Sequence, residues 1–438
     1  MSAFDLAALY AHYLAARGHV STDSRQPQPG TLFFALNGPS FQGADFAAAA
    51  LDKGARLAVV DDAALAAQQS NYFFAPDPLG ALQALAAHHR RRFTGPVLAI
   101  SGSNGKTTTK ELLTAVLAKK FRVLATLGNL NNHIGVPLTL LRLRLDEYDF
   151  AVIEMGANHR GEIAAYCQWA APTHGLLTNI GKAHLEGFGG AEGVALGKGE
   201  LFDYLKDNGG LAFVNTLDAQ VAARAAVVLQ RRTYPSLSDD YSVTLLSADP
   251  AVSLRLGSTG PDVAARLTGD YNFPNLAAAA TVGQFFGVPL DDIATALATY
   301  DPQNNRSQLL RTARGNELVL DAYNANPSSM AAALRSFAQR PAAGQGKVVI
   351  LGDMFELGPE AAAEHHALGE LLAGLALPNV VLVGPEMASA KAALGPSAHH
   401  FPTKAAAADW LAAQSFTARQ MLVKGSRGMA LETLVELL

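Results

Sequence analysis

The sequence predicts an α/β protein in which parallel sheets are covered by helices. Apolar, strand-like runs alternate along the chain with alanine-rich helical runs, which is the pattern of sheets packed between helices. The 438 residues exceed what one hydrophobic core accommodates and correspond to about three domains. A glycine-rich turn between a strand-like and a helical segment is the third observation, because that order is typical of phosphate-binding units.

The first domain is predicted over residues 1–92. A helix-like segment over residues 4–16 is followed by an apolar, strand-like run over residues 31–36. The domain ends just before Gly95-Pro96, a dipeptide typical of a linker.

The second domain is predicted over residues 93–303. Residues 231–269 have the composition of several short strands and turns, and residues 275–286 that of a helix. The longer strands of this domain are predicted at residues 96–100, 149–154, 174–179 and 211–215.

The third domain, residues 304–438, alternates most clearly between strand-like and helical runs. This pattern predicts an open α/β sheet, whose ligands usually bind at the carboxyl ends of the strands. The strands are predicted at residues 317–322, 347–352, 379–384 and 420–423.

The segment from Ser101 to Thr109 predicts a nucleotide site. It follows an apolar strand and opens an amphipathic helix, so its N–H groups and the positive helix end form a cradle for phosphate. Lys106 would reach the terminal phosphates and a hydroxyl would hold Mg²⁺, which indicates ATP binding. Ile100 stands where the common P-loop has a glycine, so we expect a shorter cradle. The alternative is an ordinary glycine turn with a solvated Lys106.

Composition excludes several classes of protein. Charged residues make up 16% of the chain and the net charge is −4 with no basic run, which argues against nucleic acid as a partner. Cys167 is the one cysteine, so an intramolecular disulfide is excluded and a reducing compartment is favoured. Without a basic leader or an apolar stretch long enough for a membrane span, we expect a soluble, cytoplasmic monomer.

Three further polar residues follow predicted strands or helices. Glu154 ends a buried strand, where its carboxylate would complete Mg²⁺ coordination, or would instead cap a helix or form an ion pair. His184 follows another strand, although a lone histidine is more often structural than a ligand. Lys198, taken by itself, has the sequence context of a surface lysine.

Taken together, the motifs resemble those of the Mur ligases of bacterial cell-wall synthesis, over nearly the whole chain. Within that family, the loops are most similar to those of ligases that join D-alanyl-D-alanine to UDP-N-acetylmuramoyl-tripeptide. The segments that carry the resemblance are residues 102–108, 128–135, 152–159, 184–189, 198–202, 269–275, 321–327 and 423–427.

The resemblance implies a three-domain enzyme. An N-terminal domain would hold the uridine nucleotide, a central P-loop domain with a parallel mononucleotide-binding sheet would hold ATP, and a Rossmann-like C-terminal sheet would close over the site. ATP and two Mg²⁺ ions would convert the carboxylate of UDP-N-acetylmuramoyl-tripeptide into an acyl phosphate, which the amine of D-alanyl-D-alanine attacks. Closure has a physical purpose, because water would hydrolyse the acyl phosphate.

The resemblance also assigns site residues. Lys106, Glu154, His184 and Lys198 would be catalytic, and Glu154, His184 and Lys198 would hold metal together with Thr107. The ATP contacts would be Gly102, Ser103, Asn104, Gly105, Lys106, Thr107, Thr108, Asn272, Asn275, Arg306, Asp321, Asn324 and Asn326. The other substrates would contact Ser24, Arg25, Asn129, Asn131, Asn132, Asn158, His159, Lys424 and Arg427.

Two positions depart from the family pattern. Tyr271 replaces a histidine of the adenine-side motif, and Asn304-Asn305 replaces the usual Pro-Gly before Arg306. Arg306 has an alternative interpretation as a linker arginine in a surface ion pair.

Lys198 corresponds to a carbamylated lysine of the family. CO₂ adds to a neutral amine and converts a cation into an anion, so a carbamate at Lys198 would supply an oxygen ligand at the end of a long stem. We therefore expect carbamyl-Lys198 and His184 to hold the second Mg²⁺.

Two other functions stay open on the sequence. One is a different ATP-dependent amide ligase of this architecture, either a sister Mur ligase that adds a single amino acid or a folylpolyglutamate synthase. The other is a non-catalytic P-loop module that binds or slowly hydrolyses ATP. A ligase should release phosphate only when both donor and acceptor are present, whereas a switch should do so without either.

Overall fold

The α/β class is confirmed, with a separate sheet in each of three successive parts of the chain. The computed structural model describes residues 4–26, 28–302, 305–341, 344 and 346–438, and these residues form four β-sheets. In the same described residues, no helix reaches the length and hydropathy that crossing a membrane would require.

The N-terminal part is a parallel sheet with the order β1-β2-β3-β4. The predicted first helix is confirmed as α1, Leu6–Ala15, and begins at Asp5, whose carboxylate accepts a hydrogen bond from the N–H of Ala8. The strands are β1 (Val20–Ser21), β2 (Leu32–Phe34), β3 (Leu57–Val60) and β4 (Tyr72–Phe74). The further helices are α2 (Ala47–Asp52), α3 (Ala63–Gln68) and α4 (Pro78–Arg90).

The central part is built on a parallel sheet with the order β10-β9-β8-β5-β7-β6. Every residue of β5 and β7 is buried, as expected of inner parallel strands covered on both faces. The strands are β5 (Val97–Ser101), β6 (Val123–Ala125), β7 (Phe150–Glu154), β8 (His174–Leu177), β9 (Leu211–Asn215) and β10 (Gln230–Tyr234). The helices up to β10 are α5 (Lys106–Leu117), α6 (Gly135–Leu141), α7 (Glu162–Ala170), α8 (Leu185–Phe188), α9 (Ala191–Asp207) and α10 (Ala219–Ala225).

The rest of the central part confirms the short strands predicted after residue 231. An antiparallel sheet follows β10, made of β11 (Val243–Ser247), β12 (Ser253–Leu256) and β13 (Asp262–Ala264). Two helices follow, α11 (Phe273–Phe285) and α12 (Leu290–Thr299). Alanines of α11 are buried in the same hydrophobic cluster as Leu112 and Leu113 of α5, which fixes the helix that carries Lys106.

The C-terminal part contains the predicted open sheet, with the order β14-β15-β19-β16-β17-β18 and with β14 as an antiparallel edge. The strands are β14 (Gln308–Arg311), β15 (Glu317–Asp321), β16 (Lys347–Gly352), β17 (Val380–Val383), β18 (Ala398–Phe401) and β19 (Gln420–Lys424). The helices are α13 (Pro327–Gln339), α14 (Ala361–Leu375), α15 (Met387–Leu394) and α16 (Lys404–Ala413). The predicted boundary between residues 303 and 304 lies outside the described residues.

The N-terminal and central parts share a hydrophobic core, and Arg90 at the end of α4 joins them. Its guanidinium is 5% exposed and donates to the backbone carbonyls of Ala170 at 2.7 Å, Ala171 at 2.8 Å and Phe93 at 2.8 Å. Nearby, the hydroxyl of Tyr13 donates to the carbonyl of Leu141 at 2.8 Å. These contacts fix the first domain against the end of α7.

We expect Arg90→Met to lower the free energy of unfolding by about 2–4 kcal/mol, because it removes charged hydrogen bonds and leaves buried carbonyls unsatisfied. The exposed neighbour is the matched control, and Arg91→Met should stay within about 0.5 kcal/mol of wild type. Urea denaturation followed by tryptophan fluorescence measures both, since Trp169 adjoins the carbonyl of Ala170. Equal stability of the two variants would contradict the role of Arg90 in joining the N-terminal and central parts.

Candidate active site

A cavity of about 850 Å³ lies between the central and C-terminal domains. It opens at the carboxyl ends of parallel strands from both sheets, where β7 ends at Glu154, β15 at Asp321 and β19 at Lys424. Most of the predicted ATP residues line it, and the turn after β5 forms one wall. The sequence-based expectation that polar residues at strand ends meet is confirmed.

The turn after β5 requires its two glycines. Gly102 has φ +132°, and a Cβ there would lie 2.1 Å from the hydroxyl oxygen of Thr178. Gly105 has φ +77° and precedes the first residue of α5. No side chain caps α5, and the cavity is lined by Gly105, Lys106, Thr107 and Thr108 at its start. The positive N-terminal end of the helix is therefore open to the cavity.

The loop of the turn is held by the segment that follows β8. The N–H of Ser103 donates to the carbonyl of Asn179 at 3.0 Å, and the N–H of Asn104 donates to the Asn179 side-chain oxygen at 3.0 Å. The hydroxyl of Ser103 donates to the carbonyl of Gly181 at 2.9 Å. The loop is therefore preformed, which lowers the entropy that a phosphate would have to remove on binding.

Lys106 folds back over this loop. Its ammonium donates to the carbonyls of Gly102 at 2.7 Å and Ser103 at 3.1 Å. Desolvation lowers the pKa of Lys106 to about 8, the negative charge of Glu154 opposes that shift, and the positive charge of Arg306 adds to it. Lys106 is thus a cation that its surroundings only partly stabilise.

Glu154 has the environment of a metal ligand. Its side chain is 1% exposed, and its Oε1 accepts from the hydroxyl of Thr107 at 3.1 Å and from the amide of Asn131 at 2.7 Å. Its second oxygen, Oε2, is buried without a hydrogen-bond partner. A buried, unpaired carboxylate oxygen is unfavourable unless a cation completes it, so Glu154 and Thr107 fit Mg²⁺ bound beside the phosphates.

His184 and Lys198 lie in different surroundings. His184 lines the cavity, and its Nδ1 is hydrogen-bonded to the carboxylate of Glu356 in the C-terminal domain. The hydrogen bond from His184 holds the pKa of Glu356 below its usual value. Among the described residues, no three His, Cys, Asp or Glu side chains converge as a ready-made metal site.

Lys198 is fully buried on α9 and is not among the residues that line the cavity. Its Nζ donates to the carbonyl of Ala157 at 2.7 Å and lies 4.8 Å from the centre of the Phe188 ring. Burial lowers the pKa of Lys198 well below its ordinary value, and the charge of Lys106 adds to that effect. Burial thus favours the uncharged form of the amine, which is the form that reacts with CO₂.

The adenine-side asparagines are buried and hydrogen-bonded to each other. Asn272 donates to the carbonyl of Thr268 at 2.8 Å and accepts from Asn275 at 3.0 Å. Asn275 accepts from the hydroxyl of Thr109 at 3.1 Å, so the pair ties the start of α11 to α5. Both side chains line the cavity, and so does Tyr271, the residue that departs from the family pattern.

In the C-terminal domain, Asp321, Asn324 and Lys424 form one cluster. The ammonium of Lys424 is 2.6 Å from Oδ2 of Asp321 and donates to the carbonyl of Asn324 at 3.2 Å. Asn326 caps α13 through the N–H of Ser329 at 2.9 Å. Its amide nitrogen also donates to the side-chain oxygen of Asn104 in the phosphate turn at 2.7 Å, a direct link between the domains.

Arg306 and Arg427 both contact one aromatic ring. The guanidinium carbon of Arg306 lies 3.6 Å from the centre of the Tyr323 ring, and that of Arg427 lies 5.0 Å from it. Arg427 also donates to the hydroxyl of Tyr323 at 3.1 Å. Nε of Arg306 is buried without a partner, and Arg306 forms no ion pair among the described residues, which argues against the alternative of a linker arginine in a surface ion pair.

The predicted substrate residues divide into two groups. Asn129, Asn131, Asn132, Asn158 and His159 line the cavity, and the side chain of Asn132 accepts from the N–H groups that begin α6. Ser24 and Arg25 lie in the N-terminal domain outside this cavity.

The environment of Ser24 and Arg25 is an exposed loop. Arg25 forms a bidentate pair with Asp23, at 2.8 and 2.9 Å, which lowers the pKa of Asp23 to about 2. The carbonyl of Ser24 accepts from the ammonium of Lys53 at 2.7 Å. The uridine role of this loop stays a prediction.

Tyr323 and Glu356 are among the residues of the cavity wall that sequence reasoning missed. Tyr323 is the aromatic residue within the polar segment after β15, and that position was the available signal. Glu356 follows β16 in a left-handed conformation, with φ +62°, and no sequence pattern indicates that it meets His184.

Three family models match the chain in succession. They are the Mur ligase family catalytic domain at residues 18–90, the Mur ligase middle domain at residues 100–283, and the Mur ligase glutamate ligase domain at residues 305–427.

Curated relatives and solved structures agree with these matches. The UDP-N-acetylmuramoyl-tripeptide–D-alanyl-D-alanine ligase of Escherichia coli K12 is 37% identical over 433 residues, which cover 96% of this chain and 93% of the relative. The enzyme of that name from Bacillus subtilis 168 is 32% identical over 428 residues, covering 95% and 92%.

A crystal structure of MurF from Acinetobacter baumannii superposes with a TM-score of 0.85, at 31% identity and 97% coverage of both chains. MurF ligase from Thermotoga maritima, solved in complex with ADP, superposes with a TM-score of 0.83, at 26% identity and 96% coverage of both chains. Together with the cavity between the P-loop and C-terminal domains, these matches lead to one conclusion: the chain belongs to the Mur ligase family.

Proposed function

We propose that the protein is an ATP-dependent ligase that joins D-alanyl-D-alanine to UDP-N-acetylmuramoyl-tripeptide, giving the pentapeptide precursor of peptidoglycan, ADP and phosphate. The observation that carries this proposal is the cavity in which a phosphate turn faces cationic groups of another domain. The relatives that share 37% and 32% of their residues with the chain carry this activity in their names.

The three domains divide the substrates. We assign the uridine nucleotide to residues 1–92, ATP to residues 93–303, and closure and D-alanyl-D-alanine binding to residues 304–438. Because the reaction consumes ATP and a nucleotide-linked precursor, we place it in the cytoplasm.

The central domain holds the phosphates of ATP. The N–H groups at the start of α5 and the ammonium of Lys106 would face the phosphate chain, and Thr107 and Glu154 would hold Mg²⁺. Such an ion would supply positive charge that offsets the charge of the phosphates. The unpaired Oε2 of Glu154 gives this chain a ligand for it.

The reaction proceeds through an acyl phosphate. The carboxylate of the tripeptide attacks the γ-phosphorus and ADP leaves. The amine of D-alanyl-D-alanine then attacks the carbonyl carbon, and inorganic phosphate departs as the amide forms. Two unit charges 4 Å apart repel by about 1 kcal/mol in water and by several times that in a drier site, so Lys106 and Arg306 must offset the approach of two anions.

Carbamylation of Lys198 supplies the second metal ligand in this proposal. The buried amine, in the uncharged form that burial favours, would attack CO₂ and release a proton, which yields a carbamate anion. Nζ of Lys198 donates to the carbonyl of Ala157, a residue that lines the cavity, so a carbamate at Lys198 would supply an oxygen ligand next to the cavity wall.

The first experiment measures ADP and phosphate release with UDP-N-acetylmuramoyl-tripeptide, with and without D-alanyl-D-alanine, and identifies the product by mass. We expect release only when both substrates are present, together with the pentapeptide nucleotide. Turnover with a single D- or L-amino acid would make the protein a sister ligase, and ATP hydrolysis independent of both substrates would favour the P-loop module.

The lowered pKa of Lys106 predicts pH-dependent nucleotide binding. Below about pH 8 the amine is already charged in the free protein. Phosphate raises its pKa, so ATP binding above pH 8 must take up a proton, and affinity should fall by up to about tenfold per pH unit.

Calorimetric titration with a non-hydrolysable ATP analogue between pH 7 and 9.5 tests this prediction. Lys106→Gln should bind more weakly and lose the slope above pH 8, while Lys119→Gln, on the exposed end after α5, should keep it. A slope retained in Lys106→Gln would assign the titration to another group.

Lys198→Ala should reduce turnover by at least about a hundredfold and regain part of it with added acetate or another short carboxylic acid, which replaces the carbamate oxygen. Lys206→Ala is the control, because Lys206 lies on the same helix with an exposed side chain. Labelled bicarbonate should give a carbamate carbon signal in wild type and in Lys206→Ala only. No rescue and no signal would exclude carbamylation.

A further inference from the structure

Tyr323 is the residue around which two cationic side chains of the C-terminal domain are arranged. Arg306 precedes β14 and Arg427 follows β19, so the two are distant in sequence, and the ring that joins them follows β15. All three residues line the cavity. The loop after β15 thus brings together the ends of three different segments of one sheet.

No acidic side chain among the described residues neutralises the charge of either arginine. In the part of the chain that the structure describes, neither Arg306 nor Arg427 forms an ion pair, whereas the neighbouring Lys424 is paired with Asp321. Nε of Arg306 is buried and has no hydrogen-bond partner. Arg306 is half-buried against the ring and Arg427 is exposed beside it, so both keep their charge, and guanidinium donors remain for an anion.

We propose that Tyr323 is a positioning residue that holds Arg306 and Arg427 as one paired anion site, with Arg306 directed to the phosphates of ATP and Arg427 to the carboxylate of the incoming dipeptide. The proposal rests on the proposed function for the identity of the second anion. The Tyr323 ring restricts the motion of both guanidinium groups, whereas the Tyr323 hydroxyl accepts a hydrogen bond from Arg427 alone.

The two contacts predict different effects for two substitutions. Tyr323→Phe keeps the ring and removes the hydrogen bond to Arg427, so KM for D-alanyl-D-alanine should rise about three- to tenfold with KM for ATP unchanged. Tyr323→Leu removes the ring as well, so KM for ATP should also rise, by about threefold to thirtyfold. Tyr241→Leu, which removes a partly buried ring outside this cavity, is the matched control and should change neither.

A double-mutant cycle separates positioning from a merely structural role. The affinity for a non-hydrolysable ATP analogue is measured by calorimetry in wild type, Tyr323→Leu, Arg306→Ala and the double variant, with thermal unfolding as the check on folding. If Tyr323 acts through Arg306, then Tyr323→Leu should weaken binding in the wild-type background and have little further effect once Arg306 is alanine. Equal losses in both backgrounds, or no loss in either, would overturn the proposal.

The cycle also distinguishes this inference from the proposed function. Binding of the ATP analogue needs neither the tripeptide nor the dipeptide. If the cycle shows coupling between Tyr323 and Arg306 but the protein has no ligase turnover, the proposed function is refuted, while the role of Tyr323 in positioning Arg306 for ATP is supported. Ligase turnover with KM for D-alanyl-D-alanine unchanged in Tyr323→Phe would refute the Arg427 half.

Discussion

The site depends on the repulsion between Lys106 and Arg306, neither of which forms an ion pair among the described residues. Desolvation lowers the pKa of Lys106, Glu154 opposes that shift and the charge of Arg306 adds to it, so groups from two parts of the chain affect each other across the cavity. Bringing them together is unfavourable in the absence of an anion, and the effect grows as water is excluded. The contacts between the domains offset that repulsion, with Asn326 on Asn104 and Glu356 on His184. A polyphosphate would turn the same repulsion into attraction, so a nucleotide should favour the closed arrangement.

The cations of the cavity fall into two classes, which sequence alone does not distinguish. Lys424 is 2% exposed and paired with Asp321, and this pair joins the ends of the adjacent strands β15 and β19. Removing one member of such a buried pair leaves an uncompensated charge, so its main effect is on the geometry of the strand ends. Arg306 and Arg427 lie on an aromatic ring instead, and their charge is available to a ligand. Whether a cationic side chain is available to a ligand therefore depends on its burial and on its ion-pair partner rather than on its residue type.

The sequence was sufficient for the parts of the molecule that local pattern determines. The α/β class, the long strands of the central and C-terminal sheets, and the phosphate turn before Lys106 follow from apolar periodicity and glycine placement, and so does the grouping of polar residues at strand ends. The short strands β3 and β4 of the N-terminal sheet and the edge strands β6, β14 and β18 were not predicted, because an apolar run of three or four residues fits a strand and a helix equally well. The contacts of Tyr323 with its two arginines and of Glu356 with His184 depend on how separate segments meet, and no window of sequence contains that information.

Asn326 links the C-terminal domain to the phosphate turn. Its side-chain oxygen accepts from the N–H of Ser329 at the start of α13, and its side-chain nitrogen donates to Asn104 in the phosphate turn. A phosphate that fixes Asn104 therefore also fixes the start of α13, and closure of the C-terminal domain in turn restricts the turn. If nucleotide binding favours closure, closure raises nucleotide affinity by the same factor, because coupling between two sites is reciprocal. The acyl phosphate would then form only in the closed cavity, where ATP is bound most tightly and water is excluded.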